Sequence, residues 1–72
     1  MGVYIERKRG EEEIVQAVPR EAVIALELIG TRLTVRTRES VLEVQLQPEK
    51  VDGVKALLYY FLDGKTIRIK EE

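Results

Sequence analysis

Residues 31–38, TRLTVRTR, and 40–47, SVLEVQLQ, alternate apolar and polar side chains, and they alternate in phase. A strand turns successive side chains to opposite faces. A slip of one residue would therefore expose the whole apolar set. A two-residue turn at Arg38-Glu39 sets Val35 opposite Leu42 and Leu33 opposite Val44 on one face. The other face pairs Thr34 with Glu43, Arg32 with Gln45 and Arg36 with Val41. Pattern and turn agree on one register, so the rest of the chain must cover this hairpin's apolar face.

The material for doing so is limited. The chain has 72 residues, enough for a single domain over 1–72. A chain of this size buries only about 60% of its unfolded surface. Disulfides and metals are the usual supplements in small domains. Cysteine and histidine are both absent, which excludes a disulfide and removes the commonest zinc, copper and haem ligands. Association is the remaining supplement, so a dimer or a protein partner is expected.

Two strands are expected before the hairpin. VYIERK (3–8) and EEIVQAV (12–18) have strand composition, and the turn at Arg9-Gly10 supplies a glycine for a positive φ. The block Arg7-Lys8-Arg9 then faces Glu11-Glu12-Glu13, which reads as a charge-paired hairpin tip rather than a basic loop.

The segment PREAVIALELIG (19–30) admits two readings. Pro19 suits a first helical position, Glu21 the positive end of the dipole and Gly30 a helix stop. Val18 is a poor N-cap, and Val23-Ile24 is β-branched. A turn at Gly30-Thr31 would instead make this a strand, with Leu28 opposite Leu33 and Leu26 opposite Val35. The balance favours a helix over 19–29. A second helix is expected over 48–62, opened by Pro48 and ended by Gly64, and a last strand over KTIRIK (65–70). The expected fold is α+β: a small antiparallel β-sheet with two helices packed on one face. The alternative is a β-meander with one C-terminal helix.

Two surfaces stand out as candidate sites. Arg32, Arg36 and Arg38, with Thr34, repeat at period two and would share one strand face. Arginine and threonine at that spacing are donors to phosphate. Glu43 lies diagonal to Arg32 and Arg36, and these strands carry no aromatic residue for base stacking. A solvated sheet face is therefore the plainer account, with RNA or DNA backbone contact as the alternative. On the second helix Val51, Val54, Leu57, Leu58, Phe61 and Leu62 form the core stripe. Gly53, Ala56 and Tyr60 fall on the far side with Tyr59 beside them. Glycine inside a helix costs about 1 kcal/mol relative to alanine. A small, small, aromatic stripe fits another helix, and a homodimer or a protein partner is expected there. Packing of that stripe within the monomer is the competing account.

Catalysis has little to draw on. Ser40 is the only serine, it lies in a turn, and no histidine is available as its base. Glu11-Glu12-Glu13 reads as a solvated run. No glycine-rich phosphate loop or Ca²⁺ loop spacing is present. The chain is expected not to be an enzyme, and no cofactor, metal or small-molecule ligand is implied. The net charge of -1 gives no overall attraction to nucleic acid or anionic membranes. No apolar run approaches the ~18 residues that span a bilayer, and the start, MGVYIERKRGEEE, lacks the apolar core of a secretion signal. A cytoplasmic location is expected. The lack of Asn, Cys, His and Trp, beside many Glu, Lys, Arg, Val and Ile, fits a hyperthermophile or a designed protein, and Gly53 in a helical pattern beside the aromatic run 59–61 favours the former.

The order strand (12–18), Pro-led helix (19–29), hairpin (31–47) and helix (48–62) resembles the small non-catalytic subunit of the archaeal and eukaryotic KEOPS complex. REAVIALELI, VLEVQLQPEK and VKALLYYFL stand where that family has its first helix, its last strand and its second helix. The resemblance covers about residues 12–62. It implies an accessory subunit of a tRNA-modifying complex that bridges copies of itself and docks on a catalytic subunit.

Overall fold

A computed structural model describes residues 1–71. The chain forms β1 (Gly2–Arg9), β2 (Glu12–Pro19), β3 (Val23–Ile29), β4 (Arg32–Thr37), β5 (Val41–Gln45), helix α1 (Val51–Leu62) and β6 (Ile67–Lys70). Single 3-10 turns, Arg20–Ala22 and Pro48–Lys50, precede β3 and α1. The strands make two three-stranded sheets, ordered β2-β1-β6 and β3-β4-β5.

The hairpin of β4 and β5 has the register that its alternation predicts. Leu33 lies opposite Val44, Val35 opposite Leu42 and Thr34 opposite Glu43. β1 and β2 form the expected hairpin, but the turn falls one residue later than the expected Arg9-Gly10, which sets Lys8 opposite Glu13 and Arg9 opposite Glu12. Their turn lies at Gly10-Glu11, where Gly10 takes φ +64. The last strand adds a feature that the pattern does not contain. β6 runs parallel to β1, placing Ile67 beside Val3 and Ile69 beside Ile5.

The expectation of a helix over 19–29 is corrected. Only Arg20–Ala22 turns helically, without a side-chain cap, and Val23–Ile29 is a strand. It pairs with β4 through Leu28 opposite Leu33 and Leu26 opposite Val35, the register of the strand alternative. Gly30 reaches φ +61 in the tight turn rather than as a helix stop. An isolated helix of some ten residues is marginal in water. Pairing satisfies the second edge of β4 and lays Leu26 and Leu28 against the core. The single antiparallel sheet carrying two helices is thus replaced by two small sheets and one helix.

One core joins these parts. Val3, Ile5, Ile67 and Ile69 come from one sheet, and Leu33, Val35, Val44 and Leu46 from the other sheet and the residue after it. Val54 and Phe61 of α1 complete it. Leu57 and Leu58 pack at its margin, whereas Leu62, expected in the core stripe, is 70% exposed. Arg7 fastens the two sheets at their β5–β6 side. Its Nε donates to Gln16 Oε1 at 2.8 Å and its Nη1 to the Glu43 carbonyl at 2.8 Å. Glu71 lies 3.5 Å from the same guanidinium and accepts from the Gln45 N–H at 2.7 Å.

Candidate interaction surfaces

Helix α1 brings the four expected interface residues to its outward face. The helix begins behind Pro48 and stops at Asp63, whose N–H returns to the Tyr59 and Tyr60 carbonyls. With Val54 and Phe61 turned into the core, Gly53, Ala56, Tyr59 and Tyr60 are all exposed. Tyr59 is 74% and Tyr60 48% exposed. A methyl group placed on Gly53 would meet no heavy atom within 4 Å. Neither β3 nor the N-terminal hairpin covers this stripe, so its packing within the monomer is excluded as an account of it. Lys65 approaches the Tyr60 ring, with Nζ 5.3 Å from the centroid, and leaves much of the ring in solvent.

A groove of about 400 Å³ runs between β3 and the C-terminal half of α1. Leu26, Leu58 and Phe61 line it, and Ile24 and Leu62 stand on its rims. Arg20 closes one end. Its guanidinium lies 4.6 Å from the Phe61 ring centroid and donates to the Phe61 carbonyl. The exposure of Ile24 is not legible in the sequence, because a helix over 19–29 gives it no strand edge to stand on. A cleft of about 630 Å³ near Arg7 is lined by three basic and three acidic side chains, two of which are the paired Arg7 and Glu71.

The arginine face differs from its expected form in three ways. Arg38 lies beyond the end of β4, in the turn, and does not share the strand's outward face. Thr34 is 5% exposed at the centre of that face, in register between Glu27 and Glu43, and is not presented to a ligand. Arg32 and Arg36 are exposed, but each is paired: Arg32 with Glu43 at 3.2 Å and Arg36 with Glu27. Glu27 comes from β3, the strand that replaced the expected helix. Two arginines and two glutamates therefore neutralise one another there. Ser40 belongs to the turn itself, its N–H donating to Thr37 Oγ1 at 3.0 Å.

Among the described residues no group of three or more His, Cys, Asp or Glu is placed to hold a metal ion. Among the described residues no buried side-chain polar atom lacks a hydrogen-bond partner. No helix among the described residues is long and apolar enough to cross a membrane. No family model, curated protein or solved structure matches the chain.

Proposed function

We propose that this chain is a non-catalytic protein-interaction subunit that docks a partner through the outward face of α1. The observation that carries the reading is the run Gly53, Ala56, Tyr59 and Tyr60, which stays exposed among the described residues, with only Lys65 approaching one ring. Two small residues three apart let a second backbone approach closely. Two tyrosines supply large, stiff contact area with a polar tip, the chemistry enriched at binding hot spots. Gly53 weakens the helix by about 1 kcal/mol relative to alanine, and among the described residues no heavy atom stands where its Cβ would lie, so close packing within the chain does not require it. The resemblance to the small KEOPS subunit offers a partner class, a catalytic subunit that modifies tRNA, and it rests on the β4–β5 hairpin and α1, because the first helix of that order is a strand here.

Tyr60→Glu and Ala56→Glu test the proposal. Each adds a charge that is solvated in the free chain and hard to desolvate in a complex. Both variants should keep the wild-type circular dichroism and lose the tRNA-modifying subunit in a co-purification. Retention of that subunit by both variants rejects the helix face, and its absence from the wild-type complex rejects the tRNA-modifying partner. RNA backbone contact through Arg32 and Arg36 is the reading from a different class. Their pairing with Glu43 and Glu27 leaves that face without net positive charge, which favours the protein partner.

A further inference from the structure

We propose that the free edge of β3 pairs antiparallel with β3 of a second copy. The two β3-β4-β5 sheets would then become one sheet of six strands. This surface is separate from the outward stripe of α1, and the inference stands without it.

An unpaired strand edge is a template for another strand unless something blunts it. Three of the four edges here are blunted. The β5 edge is occupied by Arg7, which donates to the Glu43 carbonyl, and by Glu71, which accepts from the Gln45 N–H. β6 is only four residues long and carries the exposed charges Arg68 and Lys70. β2 starts with Glu12-Glu13 and ends on Pro19, which has no N–H. β3 has a register shift against β4 between Val23 and Ala25, and from Leu26 to Ile29 it has none of these devices. Its seven residues, VIALELI, hold a single charge, Glu27, and that charge is already paired with Arg36.

The turn shows which groups point outward. Gly30-Thr31 is a two-residue turn, so the closing pair Ile29–Arg32 exchanges both backbone hydrogen bonds and the pairs alternate from there. Ile29 and Glu27 direct their N–H and C=O to β4. Leu28 and Leu26 direct theirs away from it, where no backbone or side-chain partner stands among the described residues. A strand, rather than a helix or a flat apolar face, is the partner that satisfies such a row.

The sequence of β3 suits a second copy. Leu26 is its midpoint, so pairing Leu26 with Leu26 of the partner subunit lays the two strands along one another, with the register shift at Val23–Ala25 of each copy opposite residues 27–29 of the other. That register sets Glu27 opposite a small alanine, so the two Glu27 side chains are diagonal rather than directly opposed, and each is held by Arg36 of its own chain. Pairing one step further along would oppose the two glutamates. With the dyad perpendicular to the sheet, both copies keep their helices on the same side. The rims of the two grooves, Ile24 and Leu62, then lie along the seam. These residues are 62% and 70% exposed in the single chain. A net charge of -1 per chain offers little long-range repulsion between copies.

Sedimentation equilibrium of the full chain over a concentration series, with amide exchange by NMR, tests the proposal. The expected wild type is a species of twice the 8.3 kDa chain mass. Its Leu26 and Leu28 amides should be protected, and dilution should remove that protection. Ile24→Lys and Ile29→Lys, both at exposed positions on this edge, should each return the chain to monomer with unchanged circular dichroism. A wild type that stays monomeric overturns the proposal, as does a dimer in which the Leu26 and Leu28 amides exchange freely. A dimer lost in Tyr60→Glu but kept in both lysine variants would place association on α1 instead. The amide measurement needs no variant, so it decides the matter even if a lysine substitution unfolds the chain.

Discussion

Replacing Arg7 with Met removes a guanidinium that joins the two sheets while keeping most of the apolar stem. Arg7 is a charged side chain at the end of the core, 18% exposed. Its hydrogen bond to Gln16 is partly buried and charge-assisted, a type that contributes about 1.5–3 kcal/mol. The bond to the Glu43 carbonyl lies at the surface and should contribute about 1 kcal/mol. The ion pair with Glu71 adds about 0–1 kcal/mol. Water will recover part of what Gln16 and the Glu43 carbonyl lose, so the net cost should be about 2–3 kcal/mol. Arg32→Met is the internal control. That arginine is half exposed and makes a single ion pair, so its loss should cost no more than about 1 kcal/mol. Urea unfolding measures both. With m near 1 kcal/mol/M for a small domain, Arg7→Met should lower the midpoint by about 2–3 M and leave m unchanged. If the two variants shift the midpoint equally, Arg7 does not fasten the sheets and the energetic distinction between the arginines is wrong.

Gly53→Ala should stabilise the isolated chain by up to about 1 kcal/mol, since the position is helical and has open space around it. If α1 needs a close backbone approach there, the same change should weaken partner binding, so opposite signs in thermal melts and affinity are expected. Gly2→Ala should be severely destabilising in urea unfolding, because the new methyl group would lie 2.1 Å from the Val18 carbonyl oxygen, a backbone atom. A Gly2→Ala chain of wild-type stability would contradict the β1–β2 packing. Titration with tRNA at low salt should show no binding that depends on Arg32 and Arg36. A slope of log K against log salt near about -2 to -3, flattened by about two units in the Arg32→Gln, Arg36→Gln chain, would overturn the neutralised-face reading.

Wherever local periodicity and turn chemistry pointed the same way, the amino-acid sequence alone determined the structure. The β4–β5 hairpin was legible down to each cross-strand pair, because both strands alternate and the turn length fixes their phase. The N-terminal hairpin, the last strand and α1 were legible for similar reasons, as was the outward placement of Gly53, Ala56, Tyr59 and Tyr60. Residues 19–30 were not. Their Ala, Leu and Glu favour a helix, their Val23-Ile24 favours a strand, and nothing local separates the two. Tertiary structure decided it: β4 had an unpaired edge, and a strand both filled that edge and laid Leu26 and Leu28 on the core. That one decision changed both candidate surfaces. It brought Glu27 onto the arginine face, and it exposed Ile24 at a strand edge beside Leu62. The parallel pairing of β6 with β1 and the Arg7–Glu71 fastening likewise join residues about sixty positions apart. Contacts of that range depend on how two sheets meet in space, and a pattern repeating every two or four residues does not encode it.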